Sequence, residues 1–569
     1  KFGSLRTIVK AMFLRKEAVA VYALSFAGLA TALASSRGAF GVPRDDDWSY
    51  LNVTLERAQS GGFEPNGWVH MFFVTQGLAG ALVASEFPSS LVALQAAVTL
   101  CGAMLLMVTY WLARRLLTRI YALLVMVIAG LGPLLLHLST TYMTDMPAWA
   151  LSAVSVAMGV HAVTRISVIW LVGAAALALV AFGVREYAIV PFIALLLWTM
   201  WSQAPKILRL WSLALLLFTG ITSAAAYLWR QSMPGRIETT PLTPIDSLAL
   251  YSQLLLTLAL LLAPYAAMAA VILWSRRSRM WETLQSNWLG ALLGFAVGVL
   301  IAALSALQLV GNVIHPYGSS WTSVGDGVRS LPFWGFRAVT GVGVLSLVVL
   351  AALVGMLIQR RVAVRSWRVL ERPQASGNLA GLYVFISASV MAVYFLAIVV
   401  AGAPAFDRYL LLVMPLLGIV ILWLATRSLK ERITRWQKGA IELVLVVTGA
   451  FGIVIADGLN QVDGLRWQVA SELVESGIPA YKIDGGDAWF RFHQKDAPGV
   501  AQVGSLENTS PGRTWWQTFF EGSTFCRMVA IESETDLQAM YGPALSIREE
   551  RTLLGTPFRV MVFPGPDPC

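Results

Sequence analysis

Apolar residues in this chain gather in long runs instead of alternating or marking one face of a helix. The runs cover about 18 to 36, 88 to 113, 120 to 138, 147 to 164, 168 to 184, 188 to 203, 207 to 228, 248 to 274, 288 to 310, 340 to 358, 380 to 402, 409 to 426 and 440 to 457. A bilayer crossing takes roughly 20 such residues, so the pattern predicts thirteen membrane helices. Beyond residue 457 no further run of that length occurs. Charged residues, Gly, Pro and Trp are spread through the tail, and alternation over 527 to 532 and 556 to 563 predicts strands. The expected fold class is an α-helical polytopic membrane protein: a membrane domain over residues 1–457 and a small C-terminal α/β domain over 458–569.

Two stretches near the N-terminus refine this plan. Lys1, Lys10, Arg15 and Lys16 precede the first run, and Ala32-Leu33-Ala34 fits a small-x-small cleavage pattern, so the run reads as a retained helix or a signal peptide. Its length favours retention. The first loop, 37–87, contains a turn-rich linker and then a semi-apolar segment, 68 to 86, expected as an interfacial helix.

Composition points the same way. Of 569 residues 57% are hydrophobic and 13% charged, which excludes the soluble globular classes. A net charge of +10 would suggest nucleic acid in a soluble chain, but here the basic residues sort by side. With the N-terminus cytoplasmic, 24 Lys and Arg fall on the cytoplasmic face and 9 in the opposite loops before residue 457. No nucleic-acid partner is expected; membrane lipids are. The loops at 45 to 47, 140 to 145, 184 to 187, 229 to 247, 311 to 338 and 406 to 409 then share the extracytoplasmic face with the C-terminal domain. Of three cysteines, Cys101 lies in an apolar run, while Cys526 and Cys569 could form a disulfide or stay as free thiols.

Candidate chemistry sits in those shared loops. Asp45, Asp46 and Asp47, followed by Trp48, Ser49 and Tyr50, put three carboxylates at the lip of a membrane helix, where they need water, a cation or a reaction. One can act as a general base on a hydroxyl while its neighbour orients the acceptor or a metal; a solvated loop is the bland alternative. Asp145, just before Met146 and Pro147, reads in isolation as a helix cap. Arg185-Glu186-Tyr187 sits between two apolar runs with almost no loop, either as a local ion pair or as a phosphate-binding arginine. Arg408, flanked by Asp407 and Tyr409, offers a second guanidinium. His315 and Tyr317 in the 311 to 338 loop suit sugar stacking or an interfacial aromatic belt.

Taken together these residues resemble the GT-C superfamily of polyprenyl-phosphate-sugar glycosyltransferases, in the branch of protein O-mannosyltransferases and lipid A aminoarabinose transferases. The motifs that carry it are Asp46-Asp47-Trp48-Ser49-Tyr50, Thr144-Asp145-Met146-Pro147, Arg185-Glu186 before Pro191, and Arg408-Tyr409-Leu410-Leu411 before Pro415. The resemblance implies an inverting transferase of the plasma (inner) membrane that moves a sugar from a polyprenyl-phosphate donor to a glycan, lipid or protein acceptor. It implies Asp46 as base, with Asp47 or Asp45 as register alternatives, and Asp145 as a second acidic group. Arg185 and Arg408 are implied to hold the donor phosphate. Asp45, Trp48, Tyr50, Glu186, Tyr187, His315 and Tyr317, in the same loops, are candidates for substrate contact. The superfamily contains metal-dependent and metal-independent members, so a divalent cation, Mg or Mn, stays open. The competing classes are a transporter or lipid flippase, and a glycan ligase or oligosaccharyltransferase.

Overall fold

The computed structural model describes residues 2–36, 38–44, 46–62, 68–69, 71–87, 91–202, 204–232, 243–274, 277–311, 313–314, 333–363, 375–427, 434–494, 496–502, 517, 520–531 and 541–569. In chain order its helices are α1 (Phe2–Ala34), α2 (Asp47–Ser60), α3 (Val74–Glu86), α4 (Leu91–Arg114), α5 (Arg119–Leu131), α6 (Pro133–Leu138), α7 (Asp145–Arg165), α8 (Val168–Phe182), α9 (Val190–Trp201), α10 (Lys206–Gln231), α11 (Pro244–Leu273), α12 (Arg277–Ser286), α13 (Trp288–Leu304), α14 (Phe333–Ala363), α15 (Ala375–Phe395), α16 (Val413–Thr426), α17 (Arg435–Glu475) and α18 (Asp487–Gln494). Among the described residues eight helices are long and apolar enough to cross a membrane, and five more are shorter apolar helices. Each of the thirteen expected runs falls on one of these. The protein is a membrane protein.

Lipid tails are as apolar as leucine, so close backbone approach supplies much of the helix contact. Gly290, Gly294 and Gly298 line α13 where it meets α14, and a Cβ at Gly294 would overlap the backbone of Ala351. Pro133 sits at the start of α6 after the break at Gly132, dividing the expected 120 to 138 run into two helices. The segment expected as an interfacial helix is helical only from Val74; Phe73 before it has a positive φ of 52°.

The expected domain boundary falls inside one continuous helix. α17 carries an apolar run and then continues through Asp457, Asn460 and Gln461, which are buried, into the C-terminal domain. Burial of these polar groups keeps the helix whole where hydropathy alone marks an end. Val462 and Val469 on its far half pack against Val529, Val560 and Val562 of the sheet. That sheet has the order β1-β4-β6-β5, with β1 (Ile483–Asp484) parallel to β4 (Arg527–Ile531), and β6 (Pro557–Pro564) antiparallel to both β4 and β5 (Ser546–Arg551); β2 (Ala501–Gln502) and β3 (Phe520–Glu521) form a separate antiparallel pair. Cys526 and Cys569 are joined in a disulfide that ties the end of the chain to β4.

Near its middle α17 passes so close to the end of α5 that a Cβ at Gly452 would overlap the Leu131 carbonyl oxygen, whereas nothing lies within 4 Å of a Cβ at Gly439 on the same helix. Gly452→Ala is therefore expected to destabilise by about 1–3 kcal/mol through overpacking. Gly439→Ala should be neutral or slightly stabilising. Thermal unfolding of the two variants in detergent checks this.

Candidate active site

Four chain segments bring charged groups together at one end of the bundle. The first is the start of α2. Arg44 is fully buried; it donates to the Thr140 carbonyl oxygen and to Asn460 Oδ1 of α17, and Asn460 in turn donates to the Ser35 carbonyl at 3.0 Å. His137 Nδ1 lies 3.2 Å from the same Asn460 oxygen. These contacts pin the chain two residues before Asp46.

Asp46 and Asp47 are adjacent but point apart. Asp47 is fully buried, and its Oδ2 accepts the Tyr142 backbone N–H at 2.9 Å, with Gln95 Nε2 at 3.4 Å. Asp46 keeps 25% of its side chain exposed. Its Oδ1 accepts the Trp68 indole N–H at 2.8 Å, and its Oδ2 lies 3.6 Å from Arg408 Nη2. Asp47 thus holds the loop before α7, while Asp46 lies beside Arg408. The reason is the helix start, where successive side chains diverge.

The second and third segments meet at Asp145, the first residue of α7 and fully buried. Arg185 Nη1 reaches Asp145 Oδ2 at 2.6 Å and Thr144 Oγ1 at 2.8 Å, and the Tyr187 hydroxyl donates to Asp145 Oδ1 at 2.5 Å. Asp145 is therefore not spent on capping its helix, and Arg185 pairs with it and not with its neighbour Glu186. Glu186 opens a short 3₁₀ turn, Glu186–Ile189, that runs directly into α9 and is separated from α8 by residues 183–185 alone.

Arg408 is the fourth. It opens from another 3₁₀ turn, Asp407–Leu410, whose first carboxylate is buried and accepts the backbone N–H groups of Val313 and Ile314. Burial pushes the Asp407 carboxyl up to about 6, against the pull of those two amides. Fixed in this way, Arg408 lies between the carboxylates, with Nε 3.5 Å from Asp145 Oδ2. The rings of Tyr187, Tyr394 and Tyr409 pack around the Arg185 side, with Tyr394 and Tyr409 stacked at 5.2 Å. Two guanidiniums thus share one buried carboxylate, and the outer one also faces Asp46.

Trp48 and Tyr50 lie behind this centre. The Trp48 ring is 6.2 Å from that of Trp68, and the Tyr50 hydroxyl meets Met71 Sδ at 3.1 Å; burial raises the Tyr50 phenol above its ordinary range. Asp45, His315 and Tyr317 lie outside the described residues. Sequence reasoning missed Trp68, Tyr394 and, most usefully, Arg491 of α18. Arg491 is buried, pairs with Asp487 at 2.5 Å, and lies over the Trp68 ring at 3.8 Å and the Trp48 ring at 5.4 Å, so the C-terminal domain reaches the ring that holds Asp46. Burial lowers the Arg491 guanidinium, opposed by Asp487 and Asp46. The signal available for it is an arginine inside the aromatic run 489 to 493.

Among the described residues no group of three or more His, Cys, Asp or Glu side chains lies together as metal ligands would. The two carboxylates of the site, Asp46 and Asp145, are both faced by guanidinium groups. That donor set suits an anion and fits a divalent cation poorly.

No protein-family model matches the chain, and no curated protein matches its sequence. Among solved structures it is similar to ArnT from Cupriavidus metallidurans in the apo state, at 13% identity and a TM-score of 0.39 over 96% of this chain and 98% of that one. The same enzyme bound to undecaprenyl phosphate gives 14% and 0.36 over 94% and 97%. The Archaeoglobus fulgidus oligosaccharyltransferase in complex with Zn and sulfate gives 12% and 0.40 over 89% of this chain and 67% of that one. At these TM-scores the likenesses carry no argument about the fold or about the role of any residue.

The divergence of the two aspartates is testable by stability alone. Asp47→Asn is expected to cost about 1–3 kcal/mol, since a buried acceptor of a backbone N–H is weakened. Asp46→Asn should cost less, because the side chain is partly exposed and an amide oxygen still accepts from Trp68. Thermal unfolding of both variants in detergent measures the difference.

Proposed function

We propose that the protein is a GT-C glycosyltransferase that moves a sugar from a polyprenyl-phosphate carrier to an acceptor hydroxyl. The observation that carries this is one partly exposed carboxylate, Asp46, facing a buried guanidinium, Arg408, which is itself shared with a locked Arg185–Asp145 pair. A reaction that breaks a sugar–phosphate bond needs a base on one side and a cation on the other. The site supports both roles within a few ångströms.

In this reading Asp46 accepts the proton of the acceptor hydroxyl as its oxygen attacks the anomeric carbon. The bond from that carbon to the phosphate oxygen breaks, and the polyprenyl phosphate leaves with the bonding electrons. Single displacement inverts the anomeric centre. Arg408, 3.5 and 3.6 Å from the two carboxylates, is the guanidinium next to the base, and its planar fork suits the oxygens of the departing phosphate. Arg185, bonded to Asp145 at 2.6 Å, stays put and adds positive charge behind it. Asp145 keeps both guanidiniums in place. The distribution of Lys and Arg supports a site on the extracytoplasmic face of the plasma membrane, with a cytoplasmic N-terminus. The sugar and the acceptor are left to experiment.

The test is turnover of purified protein in lipid with a set of polyprenyl-phosphate sugars, reading released polyprenyl phosphate by mass spectrometry. Wild type is expected to release it from at least one donor, and Asp46→Asn to lose at least about 100-fold, as for removal of a general base. Absence of release from every donor by folded wild type, with lipid-linked sugar still bound, would replace this reading with transport.

A further inference from the structure

The C-terminal sheet ends in a hairpin whose tip breaks the usual chemistry of turns. β5 and β6 are joined through Thr552, Leu553, Leu554, Gly555 and Thr556; the Thr552 N–H donates to the Thr556 carbonyl at 3.0 Å and the Gly555 N–H to the Thr552 carbonyl at 2.8 Å. Gly555 has a φ of +79°, which a tight turn requires. Positions beside it ordinarily hold Asn, Asp or Ser, because tips face water. Here they hold two leucines, 47% and 54% exposed.

The hairpin has a direction relative to the membrane, and two contacts with α17 give it. Arg548 of β5 pairs with Glu472 at 3.4 Å, and the Arg551 carbonyl accepts from Gln461 Nε2 at 2.9 Å. Moving along β5 toward the tip therefore moves backward along α17, toward its apolar half. Leu553 and Leu554 lie two and three residues beyond Arg551, a further ~7–10 Å at strand rise. That brings them level with the stretch near Asp457, where the apolar run of α17 ends. From Lys438, at the basic end of the same helix, to Gln461 the rise is about 35 Å, against a hydrocarbon core of about 30 Å. The far bilayer interface therefore falls at the height of the hairpin tip.

We infer that the tip, Leu553-Leu554, inserts into the headgroup and acyl boundary of the bilayer and anchors the C-terminal domain on the membrane. The occupant is lipid and not a second protein, because the height of the tip is fixed by a helix that itself crosses the membrane. Arg551, exposed just behind the leucines, suits the headgroup layer above them. Such an anchor fixes the domain at two points, α17 and the tip. The domain cannot then swing about the helix, and its Arg491 stays against Trp68.

The test uses full-length protein in phospholipid nanodiscs, with Cys101→Ala to remove the free thiol and the disulfide kept. Leu553→Cys and Leu554→Cys are spin-labelled separately, with Glu549→Cys on β5 as the aqueous reference. Collision of the labels with oxygen, which concentrates in lipid, and with a water-soluble nickel chelate is then measured. The expected result is a several-fold higher oxygen-to-nickel ratio at 553 and 554 than at 549. Nickel access at 553 and 554 equal to that at 549 would put the tip in water and overturn the inference. Low access to both reagents would mean protein covers the tip, which also overturns it. The substituted leucines are surface residues on a turn, and unchanged thermal unfolding confirms that each label reports on folded protein.

Discussion

The cluster of charges at one end of this bundle depends on one buried carboxylate. Asp145 has no exposed surface, and a carboxylate taken out of water is tolerated only when it is paired and hydrogen-bonded. Arg185 and Tyr187 satisfy that need from one chain segment and Arg408 from a second, while Thr144 Oγ1 accepts from Arg185. Removing either arginine would leave the other groups with an imbalance of charge in a low-dielectric setting. The segments at 144 to 145, 185 to 187 and 407 to 409 are therefore bound to a common point even though up to 265 positions separate them in sequence. Within this arrangement Arg185 is bonded to Asp145 at 2.6 Å, while Arg408 lies between Asp145 and Asp46.

A second dependence links the membrane domain to the tail. α17 does not stop at the membrane surface; it carries buried Asn460 beneath Arg44 and then forms part of the core of the C-terminal domain. The position of Asp46 is thereby set from both sides. Arg44, two residues earlier, is held by α17 and by Thr140, and Trp68, which holds the Asp46 carboxylate, is covered by Arg491 of the C-terminal domain. The tail thus packs directly against the wall of the site.

Much of this was legible in the sequence, for a physical reason. In a chain so apolar each ionisable residue at a helix end stands out, so Asp46, Asp145, Arg185 and Arg408 could be picked from four short motifs, and the structure brings them together. The thirteen apolar runs and two of the strands are legible because hydropathy and alternation are local properties. What was not legible depends on direction or on distance along the chain. Asp46 and Asp47 are alike in composition and neighbourhood, and only the helix geometry separates the one that faces Arg408 from the one that holds Tyr142. Asp145 looks like a cap because its partners lie 40 and 263 residues away. Arg491 and Asn460 contact residues more than 400 positions earlier, where no local pattern reaches. The continuity of α17 was hidden because its polar residues are buried, which hydropathy cannot register.

The central claim is that Arg408 and its partners form a site for a lipid-linked phosphate. The most direct measurement is the affinity of detergent-purified wild type and Arg408→Gln for polyprenyl phosphate, followed by native mass spectrometry, with a polyprenyl alcohol of the same length as control. Loss of charge-assisted phosphate bonds should weaken polyprenyl phosphate by about 10- to 100-fold while leaving the alcohol unchanged. Equal affinity of both proteins for the phosphate, or equal weakening for the alcohol, would contradict the account.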